Sequence, residues 1–359
     1  GPIAGGVVAA QQSVTLGLSI RVIGVSVAGF AASWFVPSAP SSAEGPVDWN
    51  PIRQMGELMR IARERRAVFL SVLGVSWFWL LGSVYLTQIP NLTRLHLGGN
   101  ESVVTTVLAI FTVSIALGSL TCEWLSNRRI EIGLVPIGAF GITAFGVDSY
   151  FAIAALEPIV AAGEVRNGWA FVAGAGSTRL VLDLTLLGFF GGLFIVPLQA
   201  LIQSRTPDDR RARVIAANNV LNSLFMVLGA VGAVVWLGVL ELSIPSLLVT
   251  VAVMTGAVAV FIFQQVPEFA MRFLIWVLSH SMYRVTHAHL DRIPKEGAAI
   301  IVCNHVSFVD ALLLAGAVVR PIRFVMFKPI YDIPVLNFVF RTVGAIPIAS
   351  QHEDRTAYD

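Results

Sequence analysis

Residues 67–90, AVFLSVLGVSWFWLLGSVYLTQIP, run for 24 positions without one Asp, Glu, Lys or Arg. A helix crosses the hydrocarbon core of a bilayer with about 20 apolar residues, so this stretch reads as a membrane span. Five more of the same kind follow, over about 102–124, 134–156, 180–204, 214–240 and 243–264. The composition agrees. Of 359 residues, 56% are hydrophobic and 13% charged, with a mean hydropathy of +0.77, against about 25% charged in ordinary soluble domains. The fold class expected is mainly α: a polytopic membrane helical bundle, incomplete at its N-terminal side, followed by the start of an α/β domain. A net charge of +2, with 22 Arg and 2 Lys scattered between apolar segments, gives no nucleic-acid face. Two cysteines, Cys122 and Cys303, form neither a disulfide framework nor a metal site, and no metal is expected.

On the N-terminal side, residues 1–10 read as the tail of a membrane helix, with Gly5 and Gly6 allowing close helix contact, and residues 16–36 as a further span. Residues 37–66 are polar and Pro/Ser-rich and end in Arg53, Arg60, Arg63, Arg65 and Arg66, which reads as a connecting loop. With no starting methionine and an apolar opening, the chain is expected to be a piece of a longer protein. Loops 37–66, 125–133 and 205–213 hold five, two and four arginines, whereas loops 91–101 and 157–179 hold one and two. Arginine-rich loops stay on the cytoplasmic side. The first set, and everything after residue 263, is therefore expected there.

Polar residues inside spans are informative, because a charge at mid-membrane costs roughly 2.5–3.5 kcal/mol on insertion scales. Asp148 lies past the middle of its span and Asp183 near the outer end of its own. Asn218, Asn219 and Asn222 are expected to share one helix face, with Gln199 on the preceding span. Such a face looks either into a cavity for a polar head group or at a partner helix through hydrogen bonds. Gly188 and Gly192, four apart, read as a close helix contact.

Beyond the last span, residues 267–284 (PEFAMRFLIWVLSHSMYR) read as an interfacial helix lying on the cytoplasmic leaflet. The β-branched run 299–303 (AIIVC) reads as a buried strand, and an apolar segment of helical density begins at Ala311. Between them stand Asn304, His305, Ser307 and Asp310. With His305 in the turn and Asp310 in the first helical turn, the side chains can converge, and an imidazole held by a carboxylate is a general base. The same residues also fit a Ser-x-x-acid helix start, with Asp310 as a cap. Two further strands, about 320–326 and 343–348, flank a helix over 335–341.

Two resemblances follow. One long basic loop and then six helices resembles the second half of a major facilitator superfamily transporter, preceded by the end of the first half. Gly118, Glu123, Arg128 and Arg129 resemble that superfamily's cytoplasmic-loop signature, with two extra residues and Glu as the acid. The resemblance implies that Arg128 and Arg129 lock a carrier state; plain topology arginines are the other reading. The string Asn304-His305-Val306-Ser307-Phe308-Val309-Asp310 resembles the N-H-x4-D block of the glycerolipid acyltransferases, the lysophosphatidic-acid acyltransferase family. That resemblance implies His305 as base, Asp310 as its orienting partner, and Asn304, Ser307 and Arg323 near substrate. Acyl-acyl carrier protein or acyl-CoA would be the co-substrate, with no bound cofactor. The sequence departs from the family in two places. Ala349-Ser350 stands where an arginine usually holds substrate phosphate, leaving Arg355 as the nearest candidate, and no Glu-Gly-Thr-Arg block follows His305.

Together these resemble fusions of a lysophospholipid transporter with a 2-acylglycerophosphoethanolamine acyltransferase. The expected domains are 1–36, the end of the first transporter half; 37–66, the central loop; 67–265, the second half; and 266–359, the interfacial helix and acyltransferase segment. The function implied is lysophospholipid flipping across a bacterial cytoplasmic membrane coupled to reacylation from a thioester, with membrane lipids, and acyl carrier protein, as partners. The rival is a transporter of another amphiphile with a degenerate, non-catalytic docking domain. Acylation of a soluble or sugar hydroxyl also fits the motif.

Overall fold

The computed structural model describes residues 19–20, 22–36, 50–126, 130–160, 165–286, 288–294, 297–307, 309–318 and 321–349. By contacts the chain divides into residues 1–50 and 51–359. In the first unit the described helix is α1 (Val22–Ser33), shorter than a full span. The reading of residues 1–10, and the beginning of the span expected over 16–36, lie outside the described residues.

The second unit opens with α2 (Pro51–Arg63) and continues into α3 (Arg66–His96), α4 (Glu101–Ser126), α5 (Leu134–Val160), the short α6 (Gly168–Ala173), α7 (Thr178–Arg205), α8 (Asp208–Val234) and α9 (Ile244–Gln265). The helices α3, α4, α5, α7, α8 and α9 are each long and apolar enough to cross a membrane, at the six places the hydropathy predicts. A π-helical turn, Val235–Val239, prolongs α8. After it the chain reverses through Glu241, at φ 52°, to Ser243, whose hydroxyl caps the N-terminus of α9. The cap supplies one of the donors' partners that a helix start lacks.

Helix α2 corrects the reading of residues 37–66 as loop throughout. Pro51 at the helix start is pre-set for helical φ, and the segment packs on α8 and α3. Acids in it and just past its end meet the basic start of α8: Arg213 Nη1 lies 3.3 Å from Glu57 Oε1, and Arg210 pairs with Glu64. Arg65 Nη1 donates to the Arg205 carbonyl at 2.9 Å, and Arg66 Nη2 to Gln265 Oε1 at 2.8 Å. These loop arginines therefore tie together the ends of α3, α7, α8 and α9.

The core lies where α7 packs between α4 and α5. Lipid tails supply no hydrophobic drive between helices, so contact there depends on close backbone approach at small residues. A Cβ on Gly118 of α4 would stand 1.9 Å from the Phe189 carbonyl oxygen, and one on Gly192 of α7 2.5 Å from the Ile115 carbonyl. Gly188 meets Ser114 in the same way, so the Gly188/Gly192 pair is a helix contact as its spacing predicts.

After α9 come α10 (Pro267–Met282), α11 (Val309–Ala317), β1 (Val325–Phe327), α12 (Lys328–Tyr331), α13 (Pro334–Thr342) and β2 (Ile346–Ile348). Strands β1 and β2 pair in parallel, Val325 opposite Ile346, with α12 and α13 as the crossover. The expected strand over 299–303 is not formed: Ile300 and Val302 are 94% and 88% exposed and the segment makes no ladder among the described residues. A strand is completed only by hydrogen bonds to a neighbour, and the described sheet consists of β1 and β2 without this segment. The strand expected over 320–326 likewise shortens to three residues.

Candidate functional site

The turn into α11 is built around one carboxylate oxygen. Asp310 Oδ2 accepts the backbone N–H of Val306 at 2.6 Å and of Ser307 at 2.8 Å, and lies 3.1 Å from His305 Nδ1. Ser307 returns the arrangement, its carbonyl accepting the Asp310 N–H at 3.0 Å and its hydroxyl the Val309 N–H at 3.3 Å. The cap and the histidine partner, alternatives in the sequence, are thus the same atom. The two amides, Ser307 first, and then the imidazole hold the Asp310 carboxyl below the usual carboxylate range. With Nδ1 facing a carboxylate, that nitrogen carries the hydrogen and Nε2 remains the proton acceptor. The His305 side chain is 68% exposed, so Nε2 is open to a substrate. Asn304 and Ser307 are exposed beside it.

The other expected substrate residues are placed elsewhere. Arg323 Nη2 lies 3.6 Å from Glu268 Oε1, an ion pair that turns it toward the start of α10. Arg355, like Arg128 and Arg129, lies outside the described residues. An open groove of about 660 Å³ separates the α9–α10 junction from α13, lined by Phe263, Pro267, Glu268, Asn337, Phe338 and Arg341. Its lining mixes apolar side chains with one carboxylate, one guanidinium and the Asn337 amide.

In the bundle the polar residues fall into two groups. Arg179 holds Asp148 with two of its nitrogens, Nε to Oδ2 at 3.0 Å and Nη2 to Oδ1 at 2.5 Å. Asp183, one turn beyond Arg179 on α7, is 2% exposed, and its Oδ2 has no hydrogen-bond partner. Arg179, read from the sequence only as a loop arginine, is therefore part of an acid cluster; its spacing of four from Asp183 is the signal that marks it. Further along, Asn222 accepts the Ser76 hydroxyl at 3.0 Å and is buried with Asn218, whose Oδ1 is unpartnered. Asn219 is exposed on the other side of α8. This corrects the expected single face: residues 218 and 222 differ by four positions and stack, while 219 is turned about 100° away. Gln199 is half-buried on α7.

Two residues that sequence reasoning missed lie between these regions. Arg272 of α10, 8% exposed, pairs with Glu131 in the turn before α5 and donates Nη1 to the Val318 carbonyl at 3.4 Å. An arginine and a glutamate 141 positions apart carry no local pattern that could have joined them.

Comparison with known proteins bears on both regions. The family model described as Major Facilitator Superfamily matches residues 1–230, and the one described as Acyltransferase matches residues 284–358. The lysophospholipid transporter LplT of Yersinia enterocolitica serotype O:8 / biotype 1B is 28% identical over 248 residues, covering 67% of this chain and 54% of that protein. The chain thus spans about half the length of the curated relative it matches. No solved structure matches the chain. A six-helix bundle whose sequence fits one family model over most of its length, with a second family's motif behind its last span, settles the class: this is a multi-pass membrane protein of the major facilitator superfamily, carrying an acyltransferase domain at its C-terminal end.

Proposed function

We propose that the protein moves lysophospholipid across the cytoplasmic membrane of a bacterium and reacylates it on the inner side from an acyl thioester. The observation that carries the enzymatic half is the His305–Asp310 contact at 3.1 Å, with Nε2 of the imidazole open to solvent. His305 Nε2 takes the proton of the lysolipid hydroxyl as its oxygen attacks the thioester carbonyl. The tetrahedral intermediate then collapses, the carbon–sulfur bond breaks, and the leaving thiolate takes the proton back from the imidazolium. Asp310 holds the imidazole and stabilises its cationic form. Acyl-acyl carrier protein and acyl-CoA are both suitable donors, and neither requires a bound cofactor or metal.

The transport half rests on the likeness to a protein named as a lysophospholipid transporter. The exposed face of α8 around Asn219, and the Asp148–Arg179–Asp183 cluster, are the groups we assign to head-group passage. The arginine-rich ends of α2, α3, α7 and α8 lie on the cytoplasmic side in this reading. A rival reading, with the second domain as a non-catalytic docking module, has one observation in its favour: Ala349 directly follows β2 where the acyltransferases keep a phosphate-holding arginine. The test is lysolipid uptake and acyl transfer in the same proteoliposomes, using lysophosphatidylethanolamine and both donors. Uptake with acyl transfer supports the proposal; uptake alone supports a non-catalytic second domain behind a lysolipid carrier; neither activity supports a carrier of another amphiphile.

A further inference from the structure

Arg272 joins three parts of the molecule. Its Nη2 meets Glu131, in the turn between α4 and α5; its backbone belongs to α10; its Nη1 meets the carbonyl of Val318, just past the end of α11. The side chains of the ion pair are 9% and 11% exposed. Burying two charges costs several kcal/mol per ion before their attraction is counted, so stability alone does not account for such a pair. Here the satisfaction is incomplete, since Arg272 Nε and Glu131 Oε1 are buried without partners. A guanidinium at the carbonyl end of α11 also opposes that helix's negative pole.

The backbones on either side leave no slack. A Cβ on Gly133, two residues past Glu131, would stand 2.5 Å from the Phe269 carbonyl of α10. On the far side a Cβ on Gly316 of α11 would stand 2.9 Å from Ser279 Oγ and 3.3 Å from Trp276 Cα, both of α10. Phe273 meanwhile inserts among Cys122, Leu134 and Leu193 of the bundle. Helix α11 has nine residues, and Asp310, which holds His305, is in its first turn. One end of α11 is therefore fixed to the carrier through Arg272, and the other end holds the histidine.

We propose that Arg272 is a positioning residue: gripped by Glu131, it fixes α11, and with it the His305–Asp310 pair, to the α4–α5 turn of the carrier, so that the acyl-transfer site follows that turn. The role in acyl transfer rests on the function proposed above; the mechanical tie does not. The experiment is hydrogen–deuterium exchange on the intact protein in phosphatidylethanolamine/phosphatidylglycerol nanodiscs, with and without lysophosphatidylethanolamine, followed by acyl-transfer kinetics. Without ligand, Glu131→Gln is expected to speed exchange of the α11 amides at least about tenfold while those of α3 and α9 stay unchanged; Glu131→Asp, which keeps the charge, restores the protection. With ligand, any change in the α4–α5 turn is expected to appear in α11 of the unsubstituted protein and to be lost in Glu131→Gln. Acyl transfer by Glu131→Gln is expected to fall with membrane-embedded lysolipid and to persist with lysolipid in micelles. Unchanged α11 exchange in Glu131→Gln overturns the proposal, as does a turn that responds while α11 does not. Absence of acyl transfer in the unsubstituted protein instead overturns the function proposed above, and the exchange result stands independently of it.

Discussion

The membrane bundle and the domain behind it were built under different rules. In the bundle each span satisfies its own backbone, as a hydrocarbon environment demands, so length and hydropathy alone locate it. The six spans appear where the apolar runs predict, and the helices overshoot those runs only at polar ends such as 91–96. In the C-terminal domain the elements depend on one another. The run 299–303 has strand composition, yet it lies open and joins neither β1 nor β2. Local pattern suffices where hydrogen bonds are local and falls short where they are made between segments.

The largest effect is expected where the bundle's close packing is broken. Gly118→Leu puts a side chain into the Phe189 carbonyl and should cost about 3 kcal/mol or more, read as a lower melting temperature in detergent. The same substitution at Gly82, which has open space around its Cβ position, should be nearly neutral. Equal losses at both sites would remove the distinction between the packed and open faces.

Asp310→Asn acts on the other region. It keeps the shape but removes the charge that holds the histidine tautomer, and a fall in acyl transfer of about 10²–10⁴-fold is expected, with lysolipid uptake retained. The pH dependence has a definite sign. Asp310 is depressed in the folded protein, so its contribution to the turn is present above the ordinary carboxylate range and is lost as pH falls through the lowered folded value. Exchange of the Val306 and Ser307 amides should therefore accelerate, beyond the intrinsic pH effect, only at acid pH below that range. Acceleration between pH 6 and 8 would place the transition on another group.

Smaller effects separate the asparagines of α8. Asn222→Ala removes one of the two acceptors that face the buried Ser76 hydroxyl, the Val72 carbonyl being the other, and should destabilise by about 1 kcal/mol; Asn219→Ala should change stability by less than about 0.5 kcal/mol and act on lysolipid uptake instead. A reversed order would put Asn219 inside the bundle.

Much of the candidate site was legible for a particular reason. His305 and Asp310 lie five apart across the one turn that leads into α11, so their meeting needs only local geometry. Asn218 and Asn222 are legible by their helical spacing, and adding Asn219 to that face misjudged a rotation of one residue. Glu131 and Arg272 were illegible, because their contact is made by the packing of α10 against the bundle. Helix α2 was obscured by the Pro- and Ser-rich residues before it, although Pro51 and the acids Glu57 and Glu64 mark its start and its partners.

In the proposed function an open imidazole, held by Asp310, performs acyl transfer. The direct measurement is the rate of acyl transfer to lysophosphatidylethanolamine by the intact protein in proteoliposomes, set against His305→Ala with uptake measured in parallel. In His305→Ala acyl transfer is expected to be abolished and uptake preserved. Equal rates in the two proteins would contradict it.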